Sequence, residues 1–421
     1  MDAGTPPERK PSRTITTRCC IVGGGPAGMM LGYLLARAGV EKIVLEKHAD
    51  FFRDFRGDTV HPSTLQVMRE LGLIDEFLKL PHQELQKMEG LFGGTRIRIA
   101  DLSRIKANYP FIAFMPQWDF LNFLRAHGKS FPQLKVMMNA DATDLIWSGD
   151  RVAGVAVDTP EGPLEIRADL TIGCDGRHSM VRERAGLEVE EIGAPMDVLW
   201  FRAGRRPDEN ENLFARLEPG KMMVTFDRGD YWQCAYVIAK GQYDQVKARG
   251  LEAFRADVVS MAPILKTGMA DVKTWDDVKL LTVAINRLTR WTRPGLLCIG
   301  DAAHAMSPVG GVGVNLAVQD AVATANLLAA KLLKGCPPED ELDAVRQRRE
   351  FPVRATQAMQ TLVQNRLISV ALKPGDQPFK PPLLVRLVDA VPWLQGLTAR
   401  LLAVGVRPEH VRSPEASASS R

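Results

Sequence analysis

The sequence predicts an α/β fold in which a parallel-sheet domain is interrupted by a β-rich domain and then resumed. Three observations lead to this prediction. Residues 14–47 follow the order strand, glycine turn, helix and strand, which is typical of parallel sheets. From residue 195 the chain becomes a series of short β-rich segments separated by turn residues. Residues 293–333 then return to a strand, a Gly/Pro loop and a long helix.

The composition of the 421-residue chain is that of an ordinary globular protein of two or three domains, with 45% hydrophobic and 25% charged residues. The net charge of +4 is too small, and the basic residues too scattered, to predict nucleic-acid binding. The six cysteines lack metal-ligand spacing, so we predict no metal site and free thiols in a reducing compartment. The N-terminal stretch lacks the apolar core of a secretory signal, and no apolar stretch is long enough for a membrane span, so we expect a cytoplasmic protein.

The individual elements follow from apolar periodicity and turn residues. Apolar residues recur at helical spacing over 27–38, and Gly39 is a suitable end for that helix. The remaining predicted elements are a strand over 42–47, helices over 62–80 (with a break at Gly72), 117–127 and 243–260, and an antiparallel meander over 136–174.

The predicted domain boundaries follow these changes along the chain. The assigned ranges are 15–190 and 281–370 for the two parts of the interrupted domain, 191–280 for the β-rich domain, and 371–412 for a C-terminal helical segment. The flanking residues 1–14 and 413–421 are predicted to be disordered tails, because they are polar and rich in residues that favour loops.

A Gly-x-Gly-x-x-Gly sequence, GGGPAG, lies between the first strand and the first helix. Gly23 allows a tight turn, Gly25 lets the backbone approach a pyrophosphate, and Gly28 allows close packing of the helix on the strand. The helix N-terminus would direct its N–H groups at the phosphates. Glu46, at the end of the second strand, can accept hydrogen bonds from an adenosine ribose and would repel a 2′-phosphate. This unit therefore predicts FAD or NAD rather than NADP.

Two later loops also have the form of nucleotide-binding turns. In GCDGRHS a strand ends at Asp175, and Ser179 can cap a short helix. The alternative for this loop is a surface turn in which Asp175 caps the helix. In GDAAHAMSPVGGVGVN, glycines precede a helix that begins near Asn315, and its N-terminus can receive negative charge. The alternative for this loop is a glycine-rich linker.

The GGGPAG turn with Glu46, the CDGxxS loop and the GDAAHxxxPxxGxGxN loop, in this order, resemble the flavin-dependent aromatic hydroxylases of the para-hydroxybenzoate hydroxylase type. The resemblance covers residues 15–370. It implies a Rossmann-type FAD-binding domain interrupted by a β-sheet substrate domain, with FAD as cofactor and NADPH or NADH as a transient co-substrate. It also implies that O2 is used to hydroxylate an aromatic or polyketide-like small molecule through a flavin C4a-hydroperoxide.

The resemblance gives several residues roles along the dinucleotide. Glu46 would bind the adenosine ribose, Arg56 would lie along the cofactor, and Gln117 would touch its diphosphate–ribityl region. Asp175 would lie near the pyrophosphate and the approach of the nicotinamide. The predicted contacts to the nicotinamide nucleotide's phosphates are Arg53, Arg56, Arg177 and Arg182.

At the flavin end, the resemblance places Asp301 on the ribityl chain and Pro308 beside the ring. The main-chain N–H groups of Gly313 and Val314 would face the N1–C2 carbonyl edge of the flavin. The full set of predicted cofactor-binding residues is Gly23, Gly25, Pro26, Ala27, Gly28, Glu46, Arg56, Gln117, Asp175, Asp301, Pro308, Gly313, Val314 and Asn315.

The segment 195–240 is predicted to cover the flavin and exclude water, because it is rich in aromatic and apolar side chains. Its prominent members are Trp200, Met222, Met223, Phe226, Tyr231, Trp232 and Tyr236. Since side chains alternate along strands, about half of them should face the flavin. We predict substrate contacts from Trp200 and Gln233. We name no catalytic base, because His304 in the third loop is expected to be structural.

Other functions are compatible with the same FAD loops. An isoprenoid-saturating reductase of the geranylgeranyl type would need no O2, and a non-catalytic FAD-binding protein would not need the loops around the flavin edge. A halogenase is disfavoured, because its W-x-W-x-I-P signature is absent from the sequence.

Residues 381–406 are apolar, with Arg386 and Arg400 interspersed. We predict a helix pair that packs on the FAD-binding domain or on the partner in a homodimer. The alternative is a peripheral membrane contact.

Overall fold

A computed structural model describes residues 13–52, 58–209, 215–373, 375 and 379–416. The strands are β1 (Arg13–Val22), β2 (Lys42–Leu45), β3 (Thr59–Val60), β4 (Gln83–Leu85), β5 (Lys87–Phe92), β6 (Thr95–Asp101), β7 (Ile112–Phe114), β8 (Leu134–Met137), β9 (Asp141–Ser148), β10 (Arg151–Thr159), β11 (Gly162–Gly173), β12 (Val189–Glu191), β13 (Met196–Gly204), β14 (Ala215–Glu218), β15 (Lys221–Asp227), β16 (Tyr231–Ala239), β17 (Lys279–Leu281), β18 (Asn286–Leu288), β19 (Thr292–Arg293), β20 (Leu296–Cys298) and β21 (His304–Ala305).

The α-helices are α1 (Pro26–Arg37), α2 (Pro62–Glu70), α3 (Ile74–Phe77), α4 (Gln117–Gly128), α5 (Met180–Arg184), α6 (Tyr243–Ala248), α7 (Leu251–Met261), α8 (Gly313–Leu332), α9 (Glu339–Val363), α10 (Ser369–Ala371), α11 (Leu383–Ala390) and α12 (Pro392–Ala403). Most of the helices predicted from periodicity are present. Gly72, with a φ of +72°, separates α2 from α3, and Gly250, with a φ of +89°, separates α6 from α7. Left-handed glycines end helices because other residues are strained there.

The first sheet confirms the predicted interrupted α/β domain. Its strand order is β19-β20-β11-β1-β2-β8, and β10 and β9 extend it from β11. β1 pairs in parallel with both β2 and β11, and α1 crosses between β1 and β2. β20 pairs in parallel with β11, so the chain returns to this sheet after the β-rich segment.

The second sheet, with the order β17-β13-β16-β15-β14-β5-β6, is the β-rich domain. Two of its strands, β5 and β6, come from residues 87–101, which the predicted boundaries place in the first part of the FAD-binding domain. The predicted boundary is therefore corrected: β5 and β6 belong to the β-rich domain, because β5 pairs in parallel with β14. The sequence pattern of a single strand does not predict which strand it pairs with.

Helix α8 is the main support of the third loop. The stretch Val309–Leu332 is long and apolar enough to cross a bilayer by composition, but 78% of its most apolar 18-residue portion is buried inside the protein. It therefore acts as a core helix. It begins at Gly313, two residues before the predicted start near Asn315.

The C-terminal segment is partly ordered where a disordered tail was predicted. Ser413 is buried, the Glu415 carboxylate forms an ion pair with Arg37 at 2.7 Å, and the Ala416 N–H donates to the Arg37 carbonyl oxygen at 2.9 Å. These contacts at the end of α1 order residues 413–416. Polar composition alone does not predict them.

Candidate functional site

The first loop joins β1 to α1 in the manner expected of the glycine pattern. Gly23 has a φ of +108°, and a Cβ there would meet the Cys174 carbonyl oxygen at 2.4 Å. A Cβ on Gly28 would come within 1.9 Å of the Gly23 carbonyl oxygen, so only glycine lets α1 pack this closely. A Cβ on Gly25 would meet nothing within 4 Å. Pro26 opens α1, whose first turn has no side-chain cap and no acidic residue.

The second and third loops converge on the first. Gly300, with a φ of +61°, lies so close to α1 that its Cβ would be 3.1 Å from the Cβ of Ala27. Arg177 Nε in the second loop donates to Asp301 Oδ2 in the third loop at 3.1 Å. Three segments far apart in the sequence thus form one surface, which we call the cradle (residues 23–28, 173–179 and 300–314).

The third loop ends at the N-terminus of α8. Pro308 is half-buried, and Gly310 turns the chain with a φ of +80°. α8 has no side-chain cap and no acid in its first turn, and a Cβ on Gly313 would meet nothing within 4 Å. The first N–H groups of a helix have no partner within it. The N–H groups of Gly313 and Val314 are therefore available to an acceptor in front of the helix.

Asn315 ties the start of α8 to β3. Its Oδ1 accepts hydrogen bonds from His61 N at 2.8 Å and Thr64 Oγ1 at 2.7 Å. Its Nδ2 donates to the carbonyl oxygens of Thr59 at 3.2 Å and Gly311 at 3.3 Å. Protein groups thus occupy both polar atoms of this side chain. Its predicted contact with the cofactor stays a prediction, and the main chain of Asn315 is the part left to make it.

Protein groups also occupy the polar side chains of the second loop. The Asp175 carboxylate accepts hydrogen bonds from Ser179 Oγ at 2.5 Å and from a main-chain N–H of α5 at 3.0 Å, as in the helix-cap alternative. Burial raises the pKa of Asp175. Arg182 donates to the carbonyl oxygens of Ala302 at 3.3 Å and Arg177 at 2.6 Å. Arg177 and Arg182 thus join two loops, and their predicted binding of nicotinamide phosphates stays a prediction.

Glu46 lies beside the first loop, where ribose binding was predicted. It is largely buried, and a Cβ on Gly24 would lie 3.0 Å from its Oε2. Gln117 begins α4, and its main-chain N–H donates to the carboxylate of Asp58. Arg56 and its neighbour Arg53 lie outside the described residues.

The register of the second sheet decides which apolar side chains face the cradle. Met223, Trp232 and Tyr236 are buried in the core under α6 and α7. The opposite face presents Trp200, Met222, Phe226 and Tyr231, because β13, β15 and β16 pair with Trp200 opposite Ala235 and Met222 opposite Val237.

An aromatic cluster lies where this face meets the FAD-binding domain. The Phe226 ring centre is 5.0 Å from that of Phe114 and 6.1 Å from that of Trp200, with which it is stacked. Further along the same face, Met222 packs in one cluster with Val309 of the third loop. The sheet therefore contributes an apolar wall next to the third loop.

A buried polar cluster borders this wall, and sequence reasoning missed two of its three members. Arg228 Nη2 donates to Asp58 Oδ2 at 2.8 Å, and its Nε donates to Gln233 Oε1 at 3.0 Å. Burial raises the pKa of Asp58, and the Arg228 charge opposes that shift. The Arg228 guanidinium carbon lies 5.7 Å from the centre of the Phe114 ring. Arg228 thus holds Gln233, the predicted substrate contact, and no sequence motif marks Arg228 or Asp58.

Two histidines near the third loop, His304 and His61, contribute to the fold. His304 Nε2 lies 2.6 Å from Asp320 Oδ2, and both side chains are buried. Asp320 also accepts the Gly300 N–H at 3.0 Å and Arg349 Nε at 2.9 Å. Burial lowers the pKa of His61 to about 4. His61 is therefore neutral near pH 7, and its Nδ1 lies 3.2 Å from a main-chain carbonyl oxygen of α12.

The chemistry of the cradle fits a dinucleotide with anionic parts. Both Gly25 and Gly313 leave space at the N-termini of two long helices, α1 and α8, that have no side-chain cap. Helix N-termini bind phosphate and other anions through N–H groups and the helix dipole. The Glu46 carboxylate beside the first loop suits the hydroxyls of a ribose. The residues present therefore fit FAD.

Comparisons with known proteins agree with this geometry. Residues 16–361 match the family model described as "FAD binding domain". The chain is 30% identical over 373 residues to 6-methylpretetramide 4-monooxygenase of Streptomyces rimosus, covering 87% of this chain and 89% of that protein. It is 27% identical over 391 residues to rifampicin monooxygenase of Streptomyces venezuelae, covering 92% of this chain and 78% of that protein.

Solved structures share the fold. Anhydrotetracycline hydroxylase from Streptomyces rimosus aligns with a TM-score of 0.72 and 24% identity, covering 94% of this chain and 77% of that one. The p-nitrophenol 4-monooxygenase of Pseudomonas putida aligns with a TM-score of 0.70 and 20% identity, covering 92% of this chain and 94% of that one. At this level of identity the likeness concerns the architecture.

Proposed function

The chain belongs to the FAD binding domain family and is an FAD-dependent monooxygenase, and on that premise we propose that it hydroxylates an aromatic ring of a polyketide-like small molecule. The balanced reaction consumes one O2, one NAD(P)H and one proton, and yields the hydroxylated product, NAD(P)+ and water. When bound, FAD supplies the electron transfer from the nicotinamide and the activation of O2.

The observation that carries this proposal is the apolar wall beside the third loop. Trp200 and Phe226 present stacked rings, and Phe114 of β7 adds a third ring from the FAD-binding domain. Flat aromatic side chains favour flat aromatic ligands through offset stacking and edge contacts. An apolar wall also excludes water from the reacting atoms.

Polar groups at the edge of the wall would orient the substrate. Arg202, whose guanidinium carbon lies 4.9 Å from the centre of the Tyr231 ring, shares the wall's face of the sheet with Gln233. Arg228 and Asp58 lie at the same edge. A substrate with oxygen substituents on one end and fused rings on the other would match this distribution of polar and apolar side chains. Polycyclic aromatic polyketides have that form.

The cradle residues would hold the cofactor with their main chain. The N–H groups at the start of α8, at Gly313 and Val314, would stabilise negative charge on the flavin edge, since the helix dipole is positive there. Asp301 would bind the ribityl chain, and its ion pair with Arg177 would fix its position. Glu46 would bind the ribose. The ring of His304 is engaged with Asp320, and we assign substrate deprotonation to no residue.

The test is a panel of phenols and of tetracyclic aromatic polyketides, including 6-methylpretetramide, with the purified FAD-loaded enzyme. We expect at least one polycyclic compound to stimulate NADH or NADPH oxidation and to gain one 18O atom from 18O2. Reduction of an isoprenoid substrate without O2 would support the reductase alternative instead. If no compound stimulates oxidation or gains oxygen, the proposed hydroxylation is wrong.

A further inference from the structure

The most exposed apolar surface of the described chain is the outer face of α11 and α12. Leu383 is 80% exposed and Trp393 is 68% exposed. We define the outer face by its six large exposed apolar side chains: Leu383, Leu384, Leu387, Trp393, Leu397 and Leu401. Contiguous exposed apolar side chains of this size mark a binding surface.

The inner face of α12 is buried against the rest of the protein. α12 buries Gln395, Ala399 and Ala403 at a spacing of four residues, which places them on the side opposite Trp393. Ala399 and Ala403 belong to one core cluster with Phe114 of the active-site wall. The outer face therefore remains after the helix pair has packed on β5 and β6 of the second sheet and on β7, whereas the partner predicted from the sequence is the FAD-binding domain or a second subunit.

The described segment 379–407, which carries the outer face, has an excess of positive charge. Its four basic residues, Lys380, Arg386, Arg400 and Arg407, are all exposed. Its one acidic residue, Asp389, is engaged on the inner side, where it accepts the Arg98 N–H at 2.8 Å.

We propose that the outer face docks on the surface of an anionic lipid bilayer. Leucine and tryptophan side chains would enter the boundary between headgroups and acyl chains, and the arginines would contact lipid phosphates. A second copy of the chain is a poorer occupant, because a two-fold contact would place two faces that both carry exposed arginines against each other. The docking is peripheral and independent of the proposed reaction.

Docking would bring the lipid surface close to the active site. Leu402, next to the outer-face residue Leu401, contacts the third loop so closely that a Cβ on Gly310 would meet its Cδ1 at 2.4 Å. The buried side of α12 also packs with Phe114. An apolar substrate dissolved in the lipid would then be concentrated beside the third loop.

The test is flotation of the full-length, FAD-loaded protein with two kinds of vesicle. One contains phosphatidylglycerol and phosphatidylcholine, and the other phosphatidylcholine alone. We expect the partition coefficient to be at least tenfold higher for the anionic vesicles and to fall in high salt. Equal recovery in the soluble fraction with and without anionic vesicles would overturn the proposal.

Matched variants separate the outer face from general hydrophobicity. Leu387 and Leu333 are both 49% exposed, and only Leu387 lies on the outer face. Leu387→Gln should lower anionic-vesicle binding about tenfold, whereas Leu333→Gln should leave it unchanged; an equal loss in both variants would contradict the proposal. Light scattering provides a further check. A two-chain mass that falls to one chain in Leu387→Gln would assign the face to a subunit contact and refute lipid docking. Because binding is read from flotation, the result does not depend on whether hydroxylation is found.

Discussion

The cradle and the wall, which meet where Val309 and Met222 pack in one cluster, are built from different parts of the polypeptide. The cradle presents main-chain N–H groups at two helix N-termini, and glycines such as Gly25 and Gly313 keep side chains away from them. The wall presents the side chains of Trp200, Phe226 and Met222. Main-chain groups can serve one cofactor in many relatives, while side chains can change with the substrate. The comparison therefore separates a part of the site that is built from main-chain groups from a part that is built from side chains.

The largest loss of stability is expected from a substitution of Arg228, because this residue links the wall to Asp58, which directly precedes β3. Arg228→Met leaves the buried Asp58 carboxylate without its ion-pair partner, which should lower the free energy of unfolding by about 4 kcal/mol. Urea denaturation measures the loss.

The free energy of unfolding of the same variant should decrease as the pH rises. Burial already raises the pKa of Asp58 in the folded protein, and removing Arg228 would raise it further. The folded variant then holds a proton that the unfolded chain releases, so the variant loses stability as pH rises from the unfolded pKa to the folded one. Adding Asp58→Asn should recover most of the loss. A double variant no more stable than the single one would contradict this account.

The two faces of the second sheet provide the next test. Trp232 is buried under α6 and α7, so Trp232→Ala should cost about 3–4 kcal/mol of stability. Trp200 is half-buried on the wall, so Trp200→Ala should cost about 1–2 kcal/mol but abolish substrate-stimulated NAD(P)H oxidation. Urea denaturation measures the stability of both variants, and an NAD(P)H oxidation assay with substrate measures their activity. Similar stability losses and similar activities would mean that the faces are not distinguished.

Two glycines of the cradle separate folding from cofactor binding. Gly28→Ala forces a Cβ against the Gly23 carbonyl oxygen, so the free energy of unfolding should fall by about 2–3 kcal/mol. The same variant should also lose FAD binding. Gly25→Ala meets no protein atom and has an ordinary φ of −74°, so the apoprotein's melting temperature should not change. Its affinity for FAD, measured by flavin fluorescence, should fall about tenfold, equivalent to about 1.4 kcal/mol. Unchanged affinity in Gly25→Ala would remove Gly25 from the cofactor site.

The last expected effect is spread over several pH units and arises at Lys42, the first residue of β2. Burial lowers the pKa of Lys42 to about 7, while its Nζ donates to the Val40 carbonyl oxygen at 2.9 Å. The unfolded chain binds the extra proton between about pH 7 and 10, so stability should rise with pH there by up to about 1.4 kcal/mol per unit. Lys42→Met should remove this slope and stabilise the protein at pH 7. A slope that persists in Lys42→Met would exclude Lys42 as its source.

The C-terminal helices show how far a sequence pattern reaches. The apolar residues of 381–406 predicted helices, and α11 and α12 confirm them. Which apolar residues face inward depended on the surface against which the helices pack. The small residues Ala399 and Ala403 allow close packing, so they are buried and the larger leucines are exposed.

The sequence alone determined the cradle. The tight, left-handed turn requires glycine at position 23, and the close contact of helix and strand requires glycine at position 28. Because these positions are only five residues apart, a single sequence is enough to identify them. Tertiary structure decided the wall. The face of each strand depends on its register with a distant partner, and Arg228 meets Asp58 across 170 residues of sequence. Such pairings leave no local pattern, because neither residue constrains the backbone around the other.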